Sequence, residues 1–250
     1  MLAVIGGSGL TKLANLEIIR RQVMRTPYGE ASGALTFGKM HGKDVIFLAR
    51  HGYGHHLAPH EVNYRANIWA LKEAGVERVV AVNSVGGIDA DLGPGVIVVP
   101  HQIIDYTWGR KATFFEGAEQ PVTHIDFTYP YDEGMRTSLI EAAARAGEKI
   151  VADGVYACTQ GPRLETAGEI NRLERDGATM VGMTGMPEAA LARELGLHYA
   201  ALAVEANHAA GRAASREGIR LADIYAVLDA GMGRVRNILE KLVVGGADGH

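Results

Sequence analysis

A single cysteine, no long apolar run and no surplus of positive charge set the first limits on this 250-residue chain. With Cys158 alone, neither an intrachain disulfide nor a cysteine zinc cluster can form, which fits a reducing compartment. No apolar segment approaches the ~20 residues that a membrane span needs. The first ten residues lack the basic start and long apolar stretch of a secretion signal. The expectation is a soluble, cytoplasmic protein with no membrane partner. Lysine and arginine number 25 against 29 acidic residues, a net charge of -4, and the basic residues are scattered. Nothing here resembles the basic footprint that a polyphosphate backbone requires, so nucleic acid is excluded as an expected partner. Internal repeats, low-complexity linkers and shifts of composition are also missing. One domain is therefore expected over residues 1–244, with a frayed tail at 245–250.

What the chain does have is 47% hydrophobic and 22% charged residues, enough for one large core. Short apolar runs at residues 2–5, 44–49, 78–83, 96–100, 154–159, 179–183 and 199–206 read as strands, several of them apolar on both faces. Between them, residues 61–74, 132–146, 166–176, 187–195 and 221–243 carry helical spacing, and Gly75, Gly147 and Gly177 stand as stops. Such alternation predicts an α/β fold, a central mixed twisted β-sheet flanked by helices. The weaker, glycine- and proline-punctuated run at residues 17–40 predicts an antiparallel ribbon at one edge.

Chemistry concentrates where strands end. Ile5-Gly6-Gly7-Ser8-Gly9-Leu10 follows the first strand, and its glycines let backbone N–H groups approach an anion while Ser8 offers a hydroxyl. A plain tight turn is the alternative, since Lys12 stands where a dinucleotide fingerprint wants its third glycine. Arg50-His51-Gly52 opens a histidine-rich segment reaching His60, a good place to hold a phosphate bidentately. The four-residue spacing of His51 and His55 also invites a metal reading, which Gly52, Gly54, Pro59 and the lack of a carboxylate oppose; a histidine-rich surface loop is the other alternative. Ser84, in Asn83-Ser84-Val85-Gly86-Gly87, and Thr184, in Met183-Thr184-Gly185-Met186-Pro187, close two further strands, unless they serve only as turn and cap. Four such ends can converge on one anion, because α/β sheets bind ligands beyond their strand ends.

Glu165 and Asn207 carry the other half of the reading. A carboxylate accepts hydrogen bonds and a carboxamide both donates and accepts, so together they match the edge of a 6-oxopurine. Taken singly they could be a first-turn acid and a turn residue. Glu205, inside an otherwise apolar strand, has no evident role, and His208 is either a spectator or a proton donor beside Asn207.

The strings at 5–10 and 50–52, Val62-Asn63-Tyr64-Arg65-Ala66-Asn67-Ile68-Trp69-Ala70-Leu71-Lys72, Gly161-Pro162-Arg163 and Gly182-Met183-Thr184-Gly185-Met186-Pro187-Glu188-Ala189 resemble the trimeric purine nucleoside phosphorylase and methylthioadenosine phosphorylase family. The resemblance runs from Leu2 to about Leu242, and the joint order of the motifs is far more specific than any one. It implies phosphorolysis of a purine nucleoside, with inorganic phosphate as co-substrate attacking C1′, no cofactor, no metal, and a homotrimer. It also implies that Ser8, Arg50, His51, the backbone around Ser84, and Thr184 cradle phosphate. Met183 would lie under the ribose, His124 would reach the neighbouring subunit's sugar pocket, and Asn207 would stabilise charge on the departing base.

Position by position, the resemblance separates the branches of that family. Adenine-using members are similar to one another in a small polar residue where Glu165 stands, and in aspartates where Asn207 and Ala209 stand. Glu165 can instead accept the N1–H that a 6-oxopurine has and adenine lacks, so the chain is expected to be hypoxanthine-directed. At the sugar end, Leu221 stands where nucleoside-using members have a histidine for the 5′-hydroxyl. An apolar wall there, with Ile224, suits a methylthio group. Ile224 is equally suited to packing the last helix on the core. Leu164 replaces the aromatic ring of purine-specific relatives, which predicts weaker stacking on the base.

Overall fold

Continuous apolar runs rich in valine, isoleucine and alanine make the centre of the sheet, because strands covered by helices on both faces have no wet side to leave polar. The computed structural model describes residues 1–117 and 121–245; of the expected tail, residues 246–250 lie outside the described residues. In chain order the strands are β1 (Leu2–Gly6), β2 (Glu17–Gln22), β3 (Arg25–Thr26), β4 (Gly29–Glu30), β5 (Leu35–Met40) and β6 (Lys43–Ala49). They continue as β7 (Arg78–Gly87), β8 (Ile97–Val98), β9 (Gln102–Asp105), β10 (Val155–Cys158), β11 (Met180–Gly182) and β12 (His198–His208). Five α-helices connect them: α1 (Tyr64–Glu73), α2 (Glu133–Ala146), α3 (Ala167–Arg175), α4 (Glu188–Glu194) and α5 (Leu221–Gly245).

The main sheet runs β2-β5-β6-β1-β7-β11-β10-β9, and β12 joins β7 on its other side and carries β8. β6, β1, β7 and β12 are mutually parallel, while β11 meets β7 antiparallel, so the sheet is mixed as expected. The ribbon expected at residues 17–40 is the antiparallel pair β2 and β5 at one edge, with the small hairpin β3-β4 between them.

One detail of this topology positions the site. β1 pairs with β7 only over residues 78–81, and β11 only over Gly86 and Gly87. Along that edge, residues 82–85 of β7 have no strand beside them. A crevice opens at a point where neighbouring strands diverge, the usual place for a ligand in an open α/β sheet. On the opposite edge β12 follows β7 throughout, with a register shift between Glu205 and Asn207 that turns the end of the strand.

Two apolar layers cover the sheet. Tyr64, Ile68 and Leu71 of α1 join Leu191 of α4 against one face, and Leu139 of α2 joins Leu228, Met232, Val235 and Leu239 of α5 against the other. Each such side chain contributes ~1.5–3 kcal/mol on burial. Helix ends follow their caps: Asp132 accepts from the Met135 N–H, Thr166 and Glu169 form a reciprocal capping box, and Gly147 ends α2 at φ 70°.

Beyond boundary shifts of one to three residues, three elements differ from expectation. The strand expected at 78–83 continues across two glycines to Gly87, because pairing with β12 holds it. The run at 96–100 keeps only the two residues of β8, and β9, half-exposed at the sheet's far edge, lacked the apolar signal to be read.

Glu205 is fully buried, on the sheet face that also carries Ala201 and Ala203, and neither carboxylate oxygen has a hydrogen-bond partner among the described residues. Burial holds its pKa well above the ordinary 4.5. The folded state therefore keeps a proton that the unfolded chain releases above 4.5, and stability falls as pH rises from there towards the folded pKa. Glu205→Gln, which cannot ionise, is expected to unfold like the parent at pH 4.5 and at a higher temperature than the parent at pH 8. Thermal unfolding across that range measures it, and equal midpoints at pH 8 refute it.

Candidate functional site

The crevice widens into a cavity of about 680 Å³, within the range of small-molecule sites. Ser8, Arg50, His51, Ser84, Leu164, Glu165, Met183, Thr184, Asn207, Ala209, Leu221 and Ile224 all line it. Residues from both halves of the chain thus share one chamber. His124 does not line it; it sits on an exposed segment.

At one end the floor is cationic. Arg50, just past β6, is fully buried, and its Nε and Nη2 each donate to Glu188 at 2.7 Å. Nη1 donates to Val82 O at 3.0 Å, a carbonyl on the edge that β1 and β11 leave open. Burial opposes the charge, but the Glu188 carboxylate outweighs it and holds the guanidinium above its ordinary pKa. The expectation of a bidentate arginine fork for phosphate is corrected here: that fork already belongs to Glu188. Of five guanidinium N–H groups, three are committed within the protein and two remain for an anion. Gly7 is required beside it, since a Cβ there would lie 2.9 Å from Arg50 Nη1 and 2.6 Å from Val82 O.

His51 is tied differently. Its Nδ1 donates to Leu57 O at 2.8 Å, which leaves Nε2 with the lone pair. Burial, then the Arg50 charge, pushes its pKa down to about 4, so the ring is neutral at physiological pH. The His55 ring lies 4.6 Å away, its pKa also lowered by burial. Among the described residues no three His, Cys, Asp or Glu side chains gather as a metal-binding group.

Thr184 is oriented from behind. Asn83 Nδ2 donates to its Oγ1 at 2.9 Å, and its N–H reaches Tyr156 OH at 3.3 Å. One acceptor position of the Thr184 hydroxyl is thereby filled. Asn83 and Glu188 were not among the expected site residues. The only signal was a polar side chain in an apolar strand for Asn83; for Glu188 it was the need of a buried arginine for a counter-ion.

Glu165 and Asn207 line the same cavity. Glu165 Oε1 accepts from Thr159 Oγ1 at 2.6 Å, and burial raises its pKa above the ordinary 4.5. Asn207 lies just past the register shift of β12, where its Nδ2 donates to His208 O at 2.6 Å. Ala209 adds no polar group. Met183, Leu221, Ile224 and Leu228 add apolar side chains to the lining. Ile224 does both things expected of it, lining the cavity and packing against the core beneath α5.

Residues 1–244 match the family model described as Phosphorylase superfamily. The chain is 56% identical over 241 residues, 96% of its length and 97% of the relative's, to a probable S-methyl-5'-thioinosine phosphorylase of Pseudomonas syringae pv. tomato. It is 47% identical over 215 residues to the 6-oxopurine nucleoside phosphorylase of Pyrococcus furiosus, covering 84% of this chain and 80% of that one. Among solved structures, methylthioadenosine phosphorylase from Schistosoma mansoni in complex with adenine superposes with a TM-score of 0.94 at 32% identity, covering 99% of this chain and 92% of that one.

Removing one partner of the buried pair leaves the other charge uncompensated. Glu188→Ala is expected to lose about 3–5 kcal/mol of stability. Denaturant unfolding reads this directly, and a loss below about 1 kcal/mol would mean that the pair is dispensable.

Proposed function

Because the chain belongs to the Phosphorylase superfamily, we propose that it cleaves S-methyl-5'-thioinosine with inorganic phosphate, giving hypoxanthine and 5-(methylthio)ribose 1-phosphate. The observation that supports this reading is the sharing of one cavity by Glu165 and Asn207 with Ser8, Arg50, His51, Ser84 and Thr184. A phosphate oxygen bonds to C1′ from the face opposite the base while the C1′–N9 bond breaks, its electron pair passes to the purine, and the purine takes up at N7 the proton that hydrogen phosphate gives up on becoming the sugar ester. Arg50, Ser8, the Thr184 hydroxyl and the backbone N–H groups near Ser84 hold the nucleophile. Met183 faces the sugar cation.

The departing 6-oxopurine gathers negative charge on its imidazole side, where Asn207 offers an amide to N7–H and the carbonyl. Electrostatic stabilisation of this kind is commonly the largest single contribution to rate. Glu165 accepts N1–H, which adenine does not have, and a buried carboxylate left without that donor disfavours adenine. Leu221 and Ile224 give a methylthio group an apolar contact and a 5′-hydroxyl no partner. We further propose that residues 1–244 act as one phosphorylase domain in a cytoplasmic homotrimer without cofactor or metal, His124 of each subunit serving its neighbour's sugar pocket.

The second reading is methylthioadenosine as substrate, favoured by the likeness to an enzyme solved with adenine. Parallel assays with methylthioinosine, methylthioadenosine and inosine, each with and without phosphate, separate the two. Phosphate-dependent release of hypoxanthine from methylthioinosine is expected to dominate, and a preference for methylthioadenosine overturns the assignment of the base. Asn207→Ala is expected to lower turnover by about 10²–10³-fold. Glu165→Ser is expected to weaken 6-oxopurine selectivity more than it lowers total activity, and unchanged selectivity would make Glu165 structural.

A protonated Glu165 cannot accept N1–H. Since its pKa is raised above 4.5, kcat/KM for methylthioinosine should fall on the acid side with a midpoint above 4.5. His51, near 4, does not account for that limb. Glu165→Gln should abolish the limb, and its persistence in that variant would assign it elsewhere.

A further inference from the structure

Arg110 lies outside the cavity lining, in the irregular segment after β9, yet it bonds directly to two of the segments that shape the cavity. Nη1 donates to Met183 O at 2.8 Å and to Met186 O at 2.6 Å, the two carbonyls that bracket Thr184. Nη2 donates to Gln160 O at 2.9 Å, and Nε reaches the Gln160 side chain at 3.2 Å. Gln160 opens the loop that ends in Glu165, and its neighbour Thr159 holds the Glu165 carboxylate at 2.6 Å. A third branch runs through Tyr64, which accepts from Nη1 at 3.3 Å and donates its own hydroxyl to Pro59 O at 2.9 Å, in the histidine-rich loop beside His51.

We propose that Arg110 is a positioning residue that locks the purine-reading loop and the phosphate-holding loop to one another through a single guanidinium. A planar cation with five directed N–H groups can bridge several carbonyls at fixed angles; an ammonium on a flexible stem cannot. Neither loop is held by a strand at these points, because β10 ends at Cys158 and β11 at Gly182. Without the clamp the two loops would keep only the bonds at their bases, Thr159 N–H to Gly182 O at 2.8 Å and Met186 N–H to Cys158 Sγ at 3.2 Å, and the spacing of Glu165 from Thr184 would be less tightly fixed. A displacement of about 1 Å between reacting groups costs on the order of 10²-fold in rate.

The inference rests on the assignment of purine and phosphate to the two ends of the cavity. Its test is Arg110→Lys, with Arg234→Met as the reference variant. Arg234 also donates to two backbone carbonyls, Gly95 O and Lys149 O, each at 2.6 Å, but lies outside the cavity lining. Hypoxanthine and phosphate binding are measured separately by calorimetry on each purified protein, together with kcat, KM and the unfolding midpoint.

For Arg110→Lys, the expected result is a rise of about tenfold in both dissociation constants and a fall in kcat on the order of 10²-fold. For Arg234→Met the expected result is a lowered midpoint with both constants unchanged. If Arg110→Lys matches Arg234→Met, or weakens only one of the two ligands, the proposal fails. A parent protein that binds neither ligand would defeat the assignment of the cavity instead, and that outcome is distinguishable before any variant is made. Should Arg110→Lys not fold, Arg110→Gln, which keeps donors without the charge, carries the same test.

Discussion

A guanidinium with no access to water is the constraint on which the rest of this structure depends. Arg50 is completely buried, and a charge in that position persists only when it is paired and hydrogen-bonded. Glu188 supplies the pair from the first residue of α4, Tyr199 from β12 donates to the same carboxylate at 2.8 Å, and Val82 O takes a third N–H where β7 lacks a neighbour. Parts that are far apart in sequence are thereby fixed around one charge. The proposed anion site is thus built on a cation whose position is already fixed, the condition under which electrostatic stabilisation is most effective.

The two ends of the cavity are tuned in opposite senses by the same burial. Desolvation keeps His51 neutral and raises the pKa of Glu165. A neutral imidazole with its Nδ1–H committed to a carbonyl presents a fixed acceptor at the cationic end. A carboxylate steadied by Thr159 presents an acceptor at the other. The apolar lining from Met183, Leu221, Ile224 and Leu228 favours a ligand that has an apolar group as well as polar edges.

Most of the fold was legible because local signals agreed with the tertiary outcome. Apolar runs such as residues 44–49 and 199–206 became β6 and β12, and capping residues placed the ends of α2 and α3 within a residue or two. β9 was not legible, since its half-exposed residues lack the alternation that marks a strand. The cavity-lining residues were legible where glycine, hydroxyl and arginine cluster at strand ends. Asn83, Glu188 and Arg110 were not, because each acts on a partner 76 or more positions away at its most distant contact.

The sequence by itself determined the alternation of strands and helices, the inventory of groups available to an anion and to a heterocycle, and the exclusion of an intrachain disulfide and a cysteine zinc cluster. Those follow from periodicity and from the donors and acceptors each side chain carries, which are properties of short windows. Only the tertiary structure decided that β7 stands open over residues 82–85, that the Arg50 fork belongs to Glu188, and that one guanidinium ties the loops of Glu165 and Thr184 together. These depend on which strands pair and on what burial leaves within hydrogen-bond reach, and no local pattern encodes a distance between segments that meet only when the chain has folded.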